Sequence, residues 1–411
     1  MGKLIQGSNF MESNGLIPVL DKVIQFSLFS FAAFSMFSIS ITQISFAIGS
    51  LAWLLKVHLT QSWKELKGTV VGIAILTFVL ACILSITTSV DIGSSGKFLK
   101  KLIQFTIFFW AANVITNEKL RDLLYKLLII AGAISAINSF TPMFTTDSLT
   151  YGRLYGSRLT GTMAAPSTFS GTIMIVGLIT LGKFLFSKNK HFWIVSCLSV
   201  IVLCLLFTFT RQAWLGFFVG TVFLFYFWEK KYLLIIPLLL AGLLLFAPDT
   251  IKQRIQSFKN IQKDFSLQQR VLSWEGGWEI FKDHPVTGCS FKCVDSIHTQ
   301  YPDPSGWVAY YRGLHSNIFQ LLVDTGAIGF GAWLSIWVTY FIQILKYYRG
   351  LKKVNSQDTT MGILMGSSAA VLGFLVGGFF ETNIYDSEVT MLLYFLMGLS
   401  LTNLKRSTID T

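Results

Sequence analysis

Charged residues are scarce in this 411-residue sequence. Asp, Glu, Lys and Arg together make up 13% of the chain, whereas hydrophobic residues make up 53%. A soluble domain carries about 25% charged residues, because its surface must stay hydrated. The shortage of charge therefore excludes a soluble globular protein, and we expect an integral membrane protein.

Other common features are also missing. No small-residue cleavage site follows the first apolar run, which comes after polar residues 1–14, so we expect no removable signal peptide. No internal repeat is visible, which disfavours a transporter built from two related halves. The net charge is +12, but the basic residues form short clusters rather than one stripe, so no nucleic-acid partner is expected.

The apolar runs determine the predicted architecture. Most are about 17 to 22 residues long, the length of a helix that crosses roughly 30 Å of hydrocarbon. We predict an all-α integral membrane protein with a single polytopic domain over residues 1–411 and about twelve transmembrane helices. Their starts are expected near residues 17, 39, 69, 98, 120, 166, 191, 211, 232, 313, 361 and 386.

Clusters of lysine and arginine predict the orientation of these helices. They occupy every second connection, and by the positive-inside rule these connections and both termini are cytoplasmic. Two long loops, residues 141–166 and 248–312, then face outward, and helical patterning in the second predicts a cap on the membrane surface. The clusters are Lys56, Lys64 and Lys67; Lys119 and Arg121; Lys183, Lys188 and Lys190; Lys230 and Lys231; Lys346, Arg349, Lys352 and Lys353; and Lys405 and Arg406.

Ionisable residues gather on the outward side of the predicted topology. Guanidinium groups bind phosphate oxygens through paired hydrogen bonds, so several arginines around one cleft predict a site for a lipid diphosphate. For Arg153, Arg158 and Arg312, contact with lipid headgroups is an equal alternative. The outward set comprises Arg153, Arg158, Arg211, Arg270, Arg312, His315, Glu381, Asp386 and Glu388.

Arg211 and His315 are the strongest single candidates in this set. Arg211 lies between two long apolar runs joined by almost nothing, and a charge at such a depth in the membrane indicates a functional role. His315 opens an apolar run and shares a helical face with Phe319 and Leu322. Because imidazoles titrate near neutral pH, a histidine here can take a proton from an attacking hydroxyl group.

Three motifs around these residues resemble those of the bacterial O-antigen ligase and polymerase superfamily. The layout of about twelve spans with a large outward loop near the C-terminus is also similar, so the resemblance covers most of the chain. The motifs are Thr210-Arg211 followed by Ala213-Trp214; Arg270-x3-Trp274-x3-Trp278-x2-Phe281-x2-His284-Pro285-x2-Gly288; and Leu314-His315-x-Asn317 continuing to Gly326-x2-Gly329.

The resemblance implies a metal-independent glycosyltransferase of the multispanning GT-C type that needs no cofactor. Such an enzyme moves a glycan from undecaprenyl diphosphate to an acceptor sugar at the periplasmic face of the bacterial inner membrane. In the ligase branch, the acceptor is the core of lipid A. The substrates and the surrounding membrane lipids are then the expected partners.

The resemblance also implies roles for individual residues. His315 is expected to be the general base, and Arg211 and Arg270 are expected to hold the diphosphate. Glu381 occupies the region where ligases carry an acidic residue, and we expect it to orient His315. The sequence His-Ser-Asn departs from the family pattern, in which asparagine follows histidine directly. The residues predicted to contact substrate are Arg153, Arg158, Arg312 and Asn317.

Motifs for metal or nucleotide binding are weak. No Asp-x-Asp pair is present, and Gly93-Ser-Ser-Gly96-Lys97 is too short for a phosphate-binding P-loop. One spacing, His284-x4-Cys289-x3-Cys293-x4-His298, leaves three possibilities open: a zinc site, a disulfide between the two cysteines, or two free thiols. We expect no metal in the catalytic site.

The leading prediction is an O-antigen ligase, with three alternatives. An O-antigen or exopolysaccharide polymerase would use the same donor, base and arginines. Some polymerases carry Arg-x10-Gly repeats in their outward loops, and no outward arginine here has a glycine at that spacing. A protein oligosaccharyltransferase comes next. A lipid-linked oligosaccharide transporter would require charges along a path through the bilayer, whereas these residues gather on one side.

Overall fold

The computed structural model describes residues 2–66, 69–144, 153–155, 158–188, 191–235, 237, 252, 265–301, 313–353 and 359–402. For residues 2–14, 153–155 and 265 it describes the backbone. Several predicted features lie outside the described residues: most of the span near residue 232, much of the loop 248–312, and Lys67, Lys190, Arg312, Lys405 and Arg406.

Helices dominate the described chain, which confirms the predicted all-α class. The α-helices are α1 (Gly2–Phe34), α2 (Ile39–Leu59), α3 (Val70–Thr87), α4 (Ile92–Gly96), α5 (Leu99–Leu102), α6 (Ile107–Val114), α7 (Glu118–Ser139), α8 (Pro166–Phe186), α9 (Phe192–Phe207), α10 (Arg211–Trp228), α11 (Phe265–Asp283), α12 (Cys293–Ile297), α13 (Asn317–Lys353), α14 (Thr359–Gly377) and α15 (Ser387–Ser400). Short 3-10 helices cover Ser62–Glu65, Ile103–Thr106, Thr141–Met143, Lys230–Leu234, His298–Gln300 and Asn383–Tyr385. Strands β1 (Arg153–Tyr155) and β2 (Arg158–Gly161) form an antiparallel hairpin.

Seven helices within the described residues are long and apolar enough to cross a membrane. They are α1 from Gly15 onward, α2, α3, α7, α8, α13 and α14, while α9 and α15 are apolar but shorter. The chain is therefore a multi-pass membrane protein. The segment predicted as a span near residue 98 is not one continuous helix, because α5, a 3-10 turn and α6 follow one another there.

Polar residues set the starts of several helices. The side chains of Ser38, Thr69, Asp91 and Asn117 accept hydrogen bonds from backbone N–H groups in the first turns of α2, α3, α4 and α7. The N–H groups of a first helical turn have no hydrogen-bond partner within the helix, so the preceding polar side chain supplies one. The helix boundaries thus follow directly from the local sequence.

Helix α8 lies at the centre of the bundle. Of the residues in its most apolar segment, 94% are buried inside the structure, against 28% for α2. Two glycines allow the neighbouring backbones to approach closely: a Cβ added at Gly182 would lie 2.5 Å from the Gly366 Cα of α14, and one added at Gly216 of α10 would lie 2.5 Å from the Gly373 oxygen. Such contacts between small residues are a principal way in which transmembrane helices pack.

Lysines from several predicted cytoplasmic clusters meet at one end of the bundle. Lys188, Lys230, Lys231 and Lys352 come from three predicted cytoplasmic clusters and line one cavity of about 920 Å³, which defines the basic end. Helices α10 and α13 finish at this end, so both begin at the opposite end, with Arg211 and Asn317. We call that opposite end the site end.

The glycine contact between α8 and α14 yields a stability prediction. We expect Gly182→Leu to lower the thermal unfolding temperature in detergent, because the new side chain meets the Gly366 backbone and overpacking costs about 1–3 kcal/mol. Gly331→Leu on α13 is the control, since nothing lies within 4 Å of a Cβ added there. Equal unfolding temperatures for the two variants would contradict this packing.

Candidate active site

The loop between α14 and α15 brings a carboxylate to the site end. Helix α14 ends at Gly377, and the carbonyl of Gly378 accepts a hydrogen bond from the backbone N–H of Asn317 at 2.7 Å. This bond joins the end of α14 to the start of α13. Glu381 consequently lies beside His315, although the two are 66 positions apart in the chain.

Glu381 accepts hydrogen bonds from several directions. Its Oε1 lies 3.0 Å from His315 Nδ1 and 3.3 Å from the backbone N of Thr382. Its Oε2 accepts from Gln212 Nε2 at 3.3 Å and lies 3.9 Å from a guanidinium nitrogen of Arg270. Burial raises the pKa of Glu381, but the hydrogen bond and charge of His315, the charge of Arg270 and the Thr382 N–H outweigh it and lower the pKa below its ordinary value. The group is therefore a carboxylate at neutral pH.

This carboxylate determines how His315 is presented. An ionised carboxylate can only accept hydrogen bonds, so Nδ1 of His315 donates, and a neutral form of the ring has its lone pair on Nε2. The His315 side chain is 37% exposed, whereas that of Glu381 is 15% exposed. The pair therefore combines a partly exposed imidazole with a less exposed carboxylate.

The backbone around His315 is held in an unusual conformation. Its φ is 46°, in the left-handed region that residues other than glycine seldom adopt. Both neighbours are bonded: the Leu314 carbonyl accepts from Trp274 Nε1 at 2.8 Å, and the Ser316 N–H donates to Thr382 Oγ1 at 3.1 Å. Strained residues of this kind concentrate at functional sites, where surrounding contacts hold them.

Two arginines meet next to this pair. Arg211, at the start of α10, donates to Ser266 Oγ at 2.7 Å, and Arg270 of α11 approaches the same oxygen at 3.5 Å. Ser266 and Arg270 are one helical turn apart, so they share a face of α11. The site thus combines two guanidinium groups, a histidine and a carboxylate, which suits binding of a phosphate-bearing substrate next to a general base.

A second layer of contacts fastens the loop that carries Glu381. Asn317 is 1% exposed, its Nδ2 donates to Asn383 Oδ1 at 2.7 Å, and its Oδ1 accepts from the Ile384 N–H at 3.1 Å. The Tyr385 hydroxyl donates to Asp324 Oδ2 at 2.6 Å. Both ends of the Asn317 amide are thus occupied within the chain, which favours a positioning role over the predicted contact with substrate.

The motif glycines have a different purpose. Gly288, with φ of 71°, and Gly326, with φ of 62°, lie against each other's segments, because a Cβ at Gly288 would be 2.5 Å from the Val323 oxygen and one at Gly326 would be 2.4 Å from the Val286 oxygen. Backbone bonds join the two segments, from Cys289 N to the Val323 oxygen at 2.9 Å and from Ala327 N to the Pro285 oxygen at 2.9 Å. These bonds hold the loop after α11 against α13 at Gly326, where non-helical backbone angles produce a kink in the helix.

The remaining predicted residues fall around the site. Arg158 donates to the Thr208 oxygen at 3.0 Å and to Thr210 Oγ1 at 2.6 Å, so it braces the turn just before Arg211. Asp386 accepts from Thr168 at 2.9 Å, and burial raises its pKa to about 7. The side chain of Arg153, like the whole of Arg312, is outside the described residues.

The four possible metal ligands do not form a cluster. Cys289 and Cys293 are joined in a disulfide, and His298 Nδ1 lies 3.1 Å from the carbonyl oxygens of Val294 and Asp295 in its own segment. Among the described residues, no group of three or more His, Cys, Asp or Glu side chains is arranged to hold a metal ion. Of the three possibilities that the spacing left open, the structure has the disulfide.

Residues 196–334 match the family model described as O-antigen ligase. The match covers about a third of the chain and supports the O-antigen ligase and polymerase superfamily that the three motifs predicted. The family suggests a glycosyltransferase-like membrane enzyme and is consistent with lipid-linked glycan substrates. The matched region includes Arg211, Arg270 and His315 but ends before Glu381. No curated protein matches the chain.

Two residues of the site were missed from the sequence. Gln212 and Ser266 carry no charge, and neither belongs to a motif position that was singled out. Gln212 directly follows Arg211, and Ser266 precedes Arg270 by one helical turn. For Ser266 the available signal was its position on the same helical face as Arg270, and for Gln212 it was its place next to Arg211 in the sequence.

The buried amide of Asn317 yields a testable expectation. Asn317→Ala leaves the Asn383 side chain and the Ile384 N–H without their partner, and a buried unsatisfied group costs about 1–3 kcal/mol. We expect a lower thermal unfolding temperature and faster amide exchange across residues 381–385. Asn138→Ala on α7, where the side chain is partly exposed, is the control. If the two variants behave alike, Asn317 does not fasten the loop.

Proposed function

We propose that the protein is an O-antigen ligase that transfers a polysaccharide from undecaprenyl diphosphate to the lipid A core at the periplasmic face of the inner membrane. The observation that carries the proposal is the hydrogen-bonded pair of His315 and Glu381, at 3.0 Å, next to Arg211 and Arg270. A base and two phosphate-binding cations are what this transfer requires.

The proposed reaction is a displacement at the anomeric carbon of the donor glycan. His315 Nε2 takes the proton of an acceptor hydroxyl while the hydroxyl oxygen bonds to that carbon. The bond between the carbon and the diphosphate oxygen breaks, and the oxygen leaves with the electron pair. Release of the proton to water then restores the neutral imidazole.

Each neighbour supports a charge that develops during this displacement. Arg211 and Arg270 would bind the diphosphate and stabilise the negative charge of the leaving group, an effect worth on the order of 10²- to 10³-fold in rate for one such donor. Glu381 would stabilise the imidazolium and fix its orientation. Ser266, which contacts both guanidinium groups, would keep them directed at the same anion.

Two features favour ligase over its alternatives. The absence of Arg-x10-Gly spacing in the outward arginines disfavours a polymerase. The proposed catalytic residues lie together at the site end, whereas a transporter needs charges along a path across the bilayer. The lysine-lined cavity at the opposite end supports a cytoplasmic basic end and a periplasmic site end. In this orientation both termini would be cytoplasmic, and the loop 141–166 and the cap 248–312 would be periplasmic.

Lipopolysaccharide from a deletion strain tests the reaction. We expect complementation with the wild-type gene to restore core bearing long glycan, and His315→Ala to leave bare core with full-length glycan on its lipid carrier. His298→Ala is the matched control, because His298 contacts the backbone of its own segment and should restore the normal pattern. The measurement is gel electrophoresis of lipopolysaccharide with quantification of the carrier-linked glycan.

Two results would contradict the proposal. Core that bears a single repeat in the deletion strain would indicate a polymerase. Normal lipopolysaccharide with His315→Ala at equal expression would remove His315 as the base.

Reporter fusions test the orientation. A fluorescent protein joined after Lys231 should fluoresce, because the basic end is proposed to be cytoplasmic, and alkaline phosphatase joined there should be inactive. Fusions after Gln300 should show the reverse. The opposite pattern at both positions would place the site in the cytoplasm and exclude transfer at the periplasmic face.

A further inference from the structure

A cluster of lysines at the site end has no part in the chemistry described above. Lys97, Lys100, Lys101 and Lys292 line a cavity of about 340 Å³, together with one carboxylate, that of Asp295. Lys292 and Asp295 are 3.6 Å apart. Asp386 and Glu388 also act on Lys101. Lys97, Lys100 and Lys292 share the cavity with Asp295 alone, which leaves an excess of positive charge around a space that can hold a small anionic group.

Rigid contacts bring these lysines together from segments far apart in the chain. The rings of Phe98 and Phe291 stack with centroids 3.8 Å apart and an angle of 7° between their planes. The buried hydroxyl of Ser95 donates to the Phe291 oxygen at 2.7 Å. Each of these residues adjoins a lysine of the cluster or lies two positions from one. These contacts therefore fix the backbone segments from which the lysines extend.

The cluster is linked to the loop that carries Glu381. Lys101 Nζ donates to the backbone oxygen of Tyr385 at 2.8 Å, and the ring centroids of Phe98 and Tyr385 are 4.8 Å apart. Tyr385 follows Glu381 by four residues, and four residues of extended chain span at most about 14 Å. The cavity thus borders the same loop as the pair of His315 and Glu381.

The lysines and the arginines lie on different elements. Arg211 and Arg270 come from α10 and α11, whereas the lysines come from the junction between α4 and α5, from α5 itself and from the segment just before α12. The chemistry differs as well, because arginine forms paired bonds to a desolvated phosphate, whereas lysine acts as a compact charge toward a hydrated anion. The two groups of cations can therefore hold two separate anions next to the loop that carries Glu381.

We propose that this lysine cluster is a second anion site, which binds phosphate or carboxylate groups on the acceptor glycan and so directs the acceptor hydroxyl toward His315. The inference rests on the proposed function, because it requires a transfer with a separate acceptor. The segment Gly93-Ser-Ser-Gly96-Lys97, which is too short for a P-loop, then contributes to anion binding through its lysine, next to Lys100 and Lys292.

Steady-state kinetics with matched variants test the second anion site. The protein is placed in nanodiscs of neutral lipid, and transfer is measured against acceptor concentration for wild type and for Lys97→Gln/Lys100→Gln/Lys292→Gln. Lys101 is left intact because it holds Tyr385. The control is Lys188→Gln/Lys230→Gln/Lys352→Gln, the same change of charge at the basic end.

We expect the site-end triple variant to raise KM for the acceptor roughly tenfold, the effect of about 1.4 kcal/mol of binding energy. The kcat and the KM for the donor should stay the same, and the control variant should match wild type. Removal of the phosphate and carboxylate groups from the acceptor should raise KM for the wild type and leave KM for the triple variant unchanged. An unchanged acceptor KM in the triple variant would overturn the proposal.

Direct binding separates this inference from the proposed function. Binding of the intact acceptor to His315→Ala protein is measured with and without the three lysine changes. If wild type transfers no glycan but acceptor binding still depends on the lysines, the ligase function fails and the anion site stands. A different set of results would overturn the inference. Transfer would occur, the anionic groups of the acceptor would have no effect, and only anionic lipid would change the occupancy of the lysine cluster. The lysines would then contact lipid headgroups.

Discussion

The hydrogen bond between the Glu381 carboxylate and His315 Nδ1 is the interaction on which the rest of the site depends. The carboxylate is buried, so its negative charge is tolerated only because His315, Arg270, Gln212 and the Thr382 N–H surround it. These partners come from α10, α11, the start of α13 and the loop after α14. The contacts of the Glu381 side chain thus connect four parts of the bundle.

Close packing of the helices brings these parts of the site together. Glycine contacts let α8, α10 and α14 approach closely, and the docking of Gly288 onto the kink at Gly326 brings the loop after α11 to the start of α13. Arg211 and Arg270 then meet at Ser266, and Lys101 of the lysine cluster contacts the backbone of Tyr385. The loop that carries Glu381 thus contacts two groups of cationic side chains, one through Arg270 and one through Lys101.

Much of this arrangement was predictable from local sequence. Hydrophobic run length predicted the seven described helices that are long and apolar enough to cross a membrane. The charges grouped Lys188, Lys230 and Lys352 on one side, and the motifs singled out Arg211, Arg270 and His315. Contacts that depend on tertiary packing were not predictable. Nothing local to Asn317 indicates that its amide is buried against Asn383, and nothing near Arg158 indicates that it braces Thr208 and Thr210. Uncharged partners such as Gln212 and Ser266 could be found only through their positions next to a candidate arginine. The segment between Leu99 and Val114 has no proline or glycine that would predict its broken helix.

The most direct measurement of the central claim is a double-mutant cycle between His315 and Glu381. Transfer rates are measured with purified protein, donor and acceptor for wild type, His315→Ala, Glu381→Gln and the double variant. If Glu381 acts through His315, its substitution slows the wild type by on the order of 10²-fold or more and has little further effect in the His315→Ala background. Losses that multiply fully in the double variant would show that the two residues act independently, which contradicts the account.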